Sequence, residues 1–186
     1  MAAHPHQTAA QPPPGVSTGL YTPEERVRRD NTRWTLVQGV LAPVQFVVFL
    51  LSLGLVVRYL ATGEGLAWAH ASVVAKTATL YLIMVTGCIW EKVVFGRYLF
   101  APAFYWEDVF SMAVLALHTA YLVALATGAL GDQALMGLAL AAYATYVVNA
   151  TQFLLKLRAA RLQEAAARAP AGADASASGL SVEGAQ

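Results

Sequence analysis

Charge is what this chain has least of. Its 186 residues include 12 Lys or Arg and 11 Asp or Glu, so 12% are charged, about half the share of an average soluble protein. The net charge of +1 leaves no basic excess to hold a phosphate backbone, and no nucleic-acid partner is expected. The single cysteine, Cys88, excludes an internal disulfide and any CxxC metal or redox motif. No glycine-rich nucleotide-binding motif is present. The first 20 residues, MAAHPHQTAAQPPPGVSTGL, lack the apolar stretch of a signal peptide. Their Pro, Gln and Ala bias reads as a disordered tail. His4 and His6 within it are too weak a pair for a metal site, and no protein-bound metal is expected.

Apolar residues fill the space that charge leaves, at 58% of the chain. A bilayer core about 30 Å thick needs about 20 apolar residues as helix. Four segments qualify: about 34–60, 72–90, 109–130 and 134–155. Pro43 predicts a kink in the first. Short breakers, ATGEG at 61–65 and ATGALGD at 126–132, join the first pair and the last pair. The expected fold is all-α, an integral membrane bundle of four helices over residues 21–163. The Ala/Gly/Ser-rich stretch 164–186 reads as a second disordered tail, extending the last helix slightly at most. Ahead of the first span, YTPEER at 21–26 has the form of a helix start, with Thr22 as cap, Pro23 at the first position and Glu25 at the capping-box position. A short cytoplasmic helix over 23–33 is predicted.

Orientation follows the cations. Arg26, Arg28, Arg29 and Arg33 precede the first span. Lys156, Arg158, Arg161 and Arg168 follow the last, and Lys92 and Arg97 lie in the middle link. The other side carries only Arg58, and Lys76 falls inside the second span. Both termini and the middle link are expected to be cytoplasmic, with the two short loops outside.

Polar side chains in a bilayer usually face the bundle interior. At 100° per residue, Gln38, Gln45 and Ser52 form one stripe on the first helix, while Thr77, Cys88 and Glu91 share a side of the second. Glu107, Ser111, His118 and Tyr121 align on the third, together with Val114. Thr145, Asn149, Gln152 and Lys156 align on the fourth. The bland account is interhelical glue, at about 0.6–2 kcal/mol per contact.

The middle link, IWEKVVFGRYLFAPAFYWEDVF at 89–110, is harder to reduce to glue. It gathers Glu91, Glu107 and Asp108 with Lys92, Arg97 and eight aromatic rings. Ion pairing of the carboxylates with Lys92, Arg97 or Arg33 is one account, and an aromatic belt at the headgroups is another. A third is a site: antiparallel packing puts Trp90-Glu91 and Trp106-Glu107 at one depth, with carboxylates facing each other around rings that can stack on a flat ligand.

The stretches YTPEERVRRDNTRWTLVQGVLAPVQF, IWEKVVFGRYLFAPAFYWEDVFSM, ALHTAYL and AAYATYVVNATQFLLKLRAARL resemble the 3-vinyl (older name 2-vinyl) bacteriochlorophyllide hydratase family, over about residues 21–162. The resemblance implies a lyase of the inner or intracytoplasmic membrane of phototrophic bacteria. Such an enzyme adds water to the 3-vinyl group of chlorophyllide or bacteriochlorophyllide to give a 1-hydroxyethyl pigment. The implied partners are the Mg-tetrapyrrole, the lipid membrane and other enzymes of bacteriochlorophyll synthesis. The reaction is redox-neutral, so no cofactor is expected, and the only metal is the substrate's own Mg. No residue roles carry over; those that follow are inferred from chemistry. Tyr98, Phe104, Tyr105 and Trp106 would receive the macrocycle, with Phe95 and Phe100 beside them, and Lys92 or Arg97 would meet its propionate. Glu107 is the expected acid, kept protonated by an apolar pocket. Glu91 or Asp108 is its ionised partner, and His118 would orient water or ligate the pigment's Mg. The rival account is a non-catalytic pigment carrier or assembly factor, which needs the rings but not the carboxylates. A haem anchor on His70 and His118 is disfavoured by their different depths.

Overall fold

The computed structural model describes residues 19–168; the disorder expected of 1–18 and 169–186 lies outside the described residues. The order is α1 (Pro23–Asn31), α2 (Arg33–Thr62), α3 (Leu66–Phe95), α4 (Tyr105–Thr127) and α5 (Asp132–Arg168), with no strand among the described residues. The helices α2 to α5 are each long and apolar enough to cross a membrane. Outward-facing Val40, Val47, Leu51, Leu82, Val123 and Leu155 are exposed, as a lipid-facing surface requires. This is a multi-pass membrane protein.

The closest pairings are α2 with α3 and α4 with α5; α2 also meets α5, which joins the two hairpins. Short connections dictate this. Gly63 ends α2 in the left-handed region (φ 75°) and donates its N–H to the Tyr59 carbonyl at 2.8 Å, a conformation open to Gly at little steric cost. The interhelical core holds Phe49, Val56, Val73, Val114, Tyr121, Met136 and Tyr143.

Two boundaries depart from the expected ones, and the last helix takes the slight extension that the sequence allowed. The first helix stops at Asn31, because Thr32 turns extended (φ −88°, ψ 137°) and caps α2 by accepting from the Trp34 N–H. The last helix continues through 164–168, since EAAAR is made of strong helix formers and Arg29 Nη1 bonds Glu164 at 2.9 Å. Leu20, assigned to the tail by composition, packs instead into the cluster around Tyr21 and Phe104. The helix α2 continues through Pro43.

The capping box is formed as expected: Thr22 Oγ1 accepts from the Glu25 N–H at 3.2 Å and Glu25 Oε2 from the Thr22 N–H at 2.8 Å. It fixes α1 across the C-terminal end of α3 and drives Tyr21 inward. The Tyr21 ring is 3% exposed, stacks on Phe95 at 5.7 Å and lies under the Arg29 guanidinium at 4.7 Å. Burial pushes its phenol pKa up, against the lowering pull of Arg29. Replacing Tyr21 with Ala is expected to destabilise the protein by about 3 kcal/mol, as truncation of a buried aromatic does. Thr22→Ala should cost about 1 kcal/mol. Unfolding titrations in detergent micelles check both.

Candidate active site

The C-terminal end of α3 and the N-terminal end of α4 bring all three link carboxylates indoors. Glu91, Glu107 and Asp108 are 6%, 7% and 4% exposed. A 30-residue helix such as α3 is about 45 Å long, some 15 Å more than the hydrocarbon it crosses, so this cluster sits at the membrane surface.

The three carboxylates do not share one environment. Glu107 has a cation: Lys156 Nζ reaches Glu107 Oε2 at 2.6 Å and lies 5.1 Å from the Phe104 ring centroid. Two turns of α5 make this contact, since Lys156 falls on the same face as Asn149, whose Nδ2 donates to Ser111 Oγ at 2.9 Å one turn below Glu107. The aligned stripes of the third and fourth helices meet as expected.

Glu91 and Asp108 face each other instead, with their carboxyl groups within mutual hydrogen-bonding reach. Among the described residues neither forms an ion pair. Their partners are consecutive backbone N–H groups of the link. Phe100 N donates to Asp108 Oδ2 at 2.7 Å, and Ala101 N points to Glu91 Oε2 at a longer 3.4 Å. To present both, the chain takes a left-handed turn at Phe100, φ 58°, which strains a bulky residue by roughly 1–3 kcal/mol.

The rings divide into two sets. Phe104 is 2% exposed and packs with Phe95, Trp90 and Phe153 beneath Tyr21. It is part of a packed cluster, not of an open shelf as the sequence suggested, because Tyr21 covers it. Tyr98, Phe100, Tyr105 and Trp106 turn outward, 61%, 38%, 48% and 67% exposed. Phe100 packs on Tyr105 and Tyr105 on Trp106. Lys92 folds back onto the end of its own helix, donating to the Gly96 carbonyl at 2.9 Å, with its ammonium 5.2 Å from the Tyr98 centroid. Arg97 is exposed. Among the described residues neither cation pairs with a carboxylate, and there the ion-pairing account of the link does not hold for them. Between the Tyr21 strap and the link lies a groove of about 440 Å³, lined by Leu20, Phe95, Pro102, Ala103 and Lys156 among others.

His118 is not part of this cluster. It is fully buried, eleven positions along α4 from Glu107, about 16 Å by helical rise. Its Nδ1 contacts the Val114 carbonyl at 2.8 Å. A carbonyl can only accept, so Nδ1 carries the hydrogen.

Sequence reasoning missed Tyr21, the backbone N–H groups of Phe100 and Ala101, and Lys156 as the partner of Glu107. The signal for Lys156 was present, since in an antiparallel hairpin the charged end of its stripe falls beside the charged end of the Glu107 stripe. The other two depend on the path of a loop and leave no periodic trace.

The fold and site define a polytopic helical membrane protein with a buried carboxyl cluster under an aromatic surface. Residues 21–159 match the 2-vinyl bacteriochlorophyllide hydratase family. A 2-vinyl bacteriochlorophyllide hydratase of Cereibacter sphaeroides is 71% identical over 150 residues, 80% of this chain and 92% of that one. One of Rhodobacter capsulatus is 68% identical over 146 residues, 78% of this chain and 85% of that one. No solved structure matches the chain. The chain belongs to the 2-vinyl bacteriochlorophyllide hydratase family.

Removing Lys156 leaves a nearly buried carboxylate without its cation. Lys156→Met is expected to destabilise the protein by roughly 2 kcal/mol, since a charged group loses its bond. Glu107→Gln in the same background should recover part of the loss. Denaturation midpoints of the two variants check this.

Proposed function

We propose that the hydration of a vinyl bacteriochlorophyllide is carried out by the Glu91–Asp108 pair, with Glu107 and Lys156 as a fixed charged neighbour. The chain is a hydratase of bacteriochlorophyll biosynthesis, a hydro-lyase acting on a pigment vinyl group. The observation that carries the assignment is the contrast in partners: Glu107 has an ammonium at 2.6 Å, while Glu91 and Asp108 have each other and two backbone N–H groups.

Two carboxyls side by side in a low-dielectric site hold one proton between them more readily than two charges. That supplies both functions the reaction needs. The protonated member gives its proton to the terminal vinyl carbon. Positive charge develops on the carbon attached to the macrocycle, which delocalises it. Water adds to that carbon and passes its proton to the ionised member, restoring the pair. No electron is gained or lost, so no redox cofactor is required, and the Mg in the site is the substrate's own. The acid, expected at Glu107 from the sequence, is assigned to the pair because Glu107 is bonded to Lys156 at 2.6 Å while the pair has no ion-pair partner among the described residues.

The flat macrocycle lies at the headgroup level on Tyr98, Phe100, Tyr105 and Trp106, whose faces suit a π-ligand. Arg97 or Lys92 meets its propionate. The link residues 97–101 lie between the macrocycle and the carboxyl pair and yield to admit the vinyl edge. The strained turn at Phe100 is the point where they give. The excess of cations on the flanks and link supports cytoplasmic termini and an inner-membrane location, and the resemblance supports neighbouring enzymes of the same biosynthesis as partners.

General acid/base groups typically contribute about 10²- to 10⁴-fold. Asp108→Asn and Glu91→Gln are each expected to lower kcat by a factor in that range while leaving pigment binding intact. Glu107→Gln should cost about tenfold, as loss of an electrostatic neighbour. Anaerobic incubation with the vinyl pigment, read by gain of one water in the mass spectrum and by the blue shift of the red band, checks the rates. Absorption titration checks binding. Full activity in Asp108→Asn and Glu91→Gln would return the acid role to Glu107.

A further inference from the structure

Below the carboxyl cluster the bundle interior is polar in a way that its own hydrogen bonds do not resolve. Lys76 Nζ, His118 Nε2, Asn149 Oδ1, Gln152 Oε1 and both polar atoms of Gln45 are buried and make no hydrogen bond among the described residues. Four of these five side chains belong to residues at least nine-tenths buried: Lys76 and His118 at 0% exposed, Gln45 at 2% and Asn149 at 9%. Lys76 has no carboxylate partner; its ammonium lies 3.8 Å from the Tyr146 ring centroid.

These groups are not scattered. On α5, Tyr146, Asn149, Gln152 and Lys156 follow one another at three- and four-residue steps within about 120° of the helix circumference over about 15 Å, with Tyr143 a further 60° round. Facing them are His118, whose ring is 5.9 Å from that of Tyr143, and Lys76. On α2, Gln45 precedes by seven residues Ser52, which is hydrogen-bonded to Tyr143. The polar line begins at Lys156 on Glu107, continues through Asn149 on Ser111 and reaches His118 and Lys76 at mid-depth.

We infer that this column binds a chain of ordered water molecules and supplies the water that adds to the vinyl group. The unpartnered atoms are mixed in kind. Lys76 and Gln45 Nε2 only donate, while Asn149 Oδ1, Gln152 Oε1, Gln45 Oε1 and the unprotonated His118 Nε2 only accept. Water does both, and a buried water usually makes two to four hydrogen bonds to groups of these kinds. An apolar chain would leave every one of these groups unpaired. The supply role rests on the location proposed for the carboxyl pair. A macrocycle lying over the link covers the cytoplasmic entrance, so the attacking water comes from the side that the macrocycle does not cover. The column ends at Glu107, the sequence neighbour of Asp108. The atom balance is that of the hydration itself: one water is consumed per turnover, its oxygen going to the pigment and its proton to the carboxyl pair.

The test uses the full chain in lipid nanodiscs. Hydroxyl-radical footprinting, in which radicals form from water in place, should modify Tyr143 and Tyr146 as readily as exposed Tyr98, and leave Leu135, in the apolar end of the core, untouched. The double variant Gln45→Leu with Asn149→Leu should abolish that labelling and lower kcat about tenfold with KM unchanged, the pattern of a lost step after binding. Labelling of Tyr143 and Tyr146 at the level of Leu135 overturns the inference even if the variant fails to fold. So does an unchanged kcat in a variant that has lost the labelling. The footprint requires no pigment, so a wrong placement of the pigment, revealed by full activity in Asp108→Asn, is distinguishable from a dry column.

Discussion

Two consecutive backbone N–H groups hold this site together. Phe100 and Ala101 point them at Asp108 and Glu91, and without them two carboxyls could not lie together, nearly out of solvent, without a cation. The rest of the local structure serves that contact. The chain accepts a left-handed conformation at Phe100 to make it. Ala101 is buried beneath the turn. Phe104 anchors the far end of the link among Trp90, Phe95 and Phe153, and the Tyr21 strap closes over that anchor. A rigid support with one strained segment above a reactive pair is a common way to build an acid/base site that opens only for its ligand.

The bundle below has the opposite economy. Lipid provides no hydrogen bonds, so polar side chains in the spans turn inward to another helix or, like Thr127 and Thr151, bond a carbonyl of their own helix. Gln38 finds Thr86, Ser52 finds Ser72 and Tyr143, and Tyr121 finds His70. These contacts hold α2 to α3 and α3 to α4, and they are the glue that an apolar solvent favours. The groups left over lie between them along the axis, where Lys76 and His118 meet the polar face of α5. The same constraint that assembles the helices therefore leaves a polar-lined interior below the carboxyl cluster.

Much of this was legible from periodicity alone. Glu107, Ser111, Val114, His118 and Tyr121 share a face by arithmetic, and all five are buried. The four spans, the capping box at Thr22 and the meeting of the third and fourth stripes follow from spacing and residue type. What periodicity could not supply lies in the link. Grouping Tyr98, Phe104, Tyr105 and Trp106 as one shelf treated neighbours in sequence as neighbours in space. The helix begins at Tyr105, so Phe104 stays on the inner side of the loop while the next two residues point out. The partner of Glu107 was likewise sought among Lys92, Arg97 and Arg33, yet came from Lys156, 49 positions away. Loop paths and long-range partners depend on packing that a one-dimensional pattern does not carry. The acid role proposed for the Glu91–Asp108 pair in place of Glu107 rests on that one distant lysine.

The most direct test of the account is the infrared carboxyl stretch of the folded protein in lipid at neutral pH. If Glu91 and Asp108 share a proton, the wild-type chain shows a protonated-carboxyl band that disappears in Glu91→Gln and shifts or disappears in Asp108→Asn, while Glu107→Gln leaves it in place. A band that survives both of the first two substitutions and vanishes in Glu107→Gln would contradict the account and place the proton on the carboxyl beside Lys156.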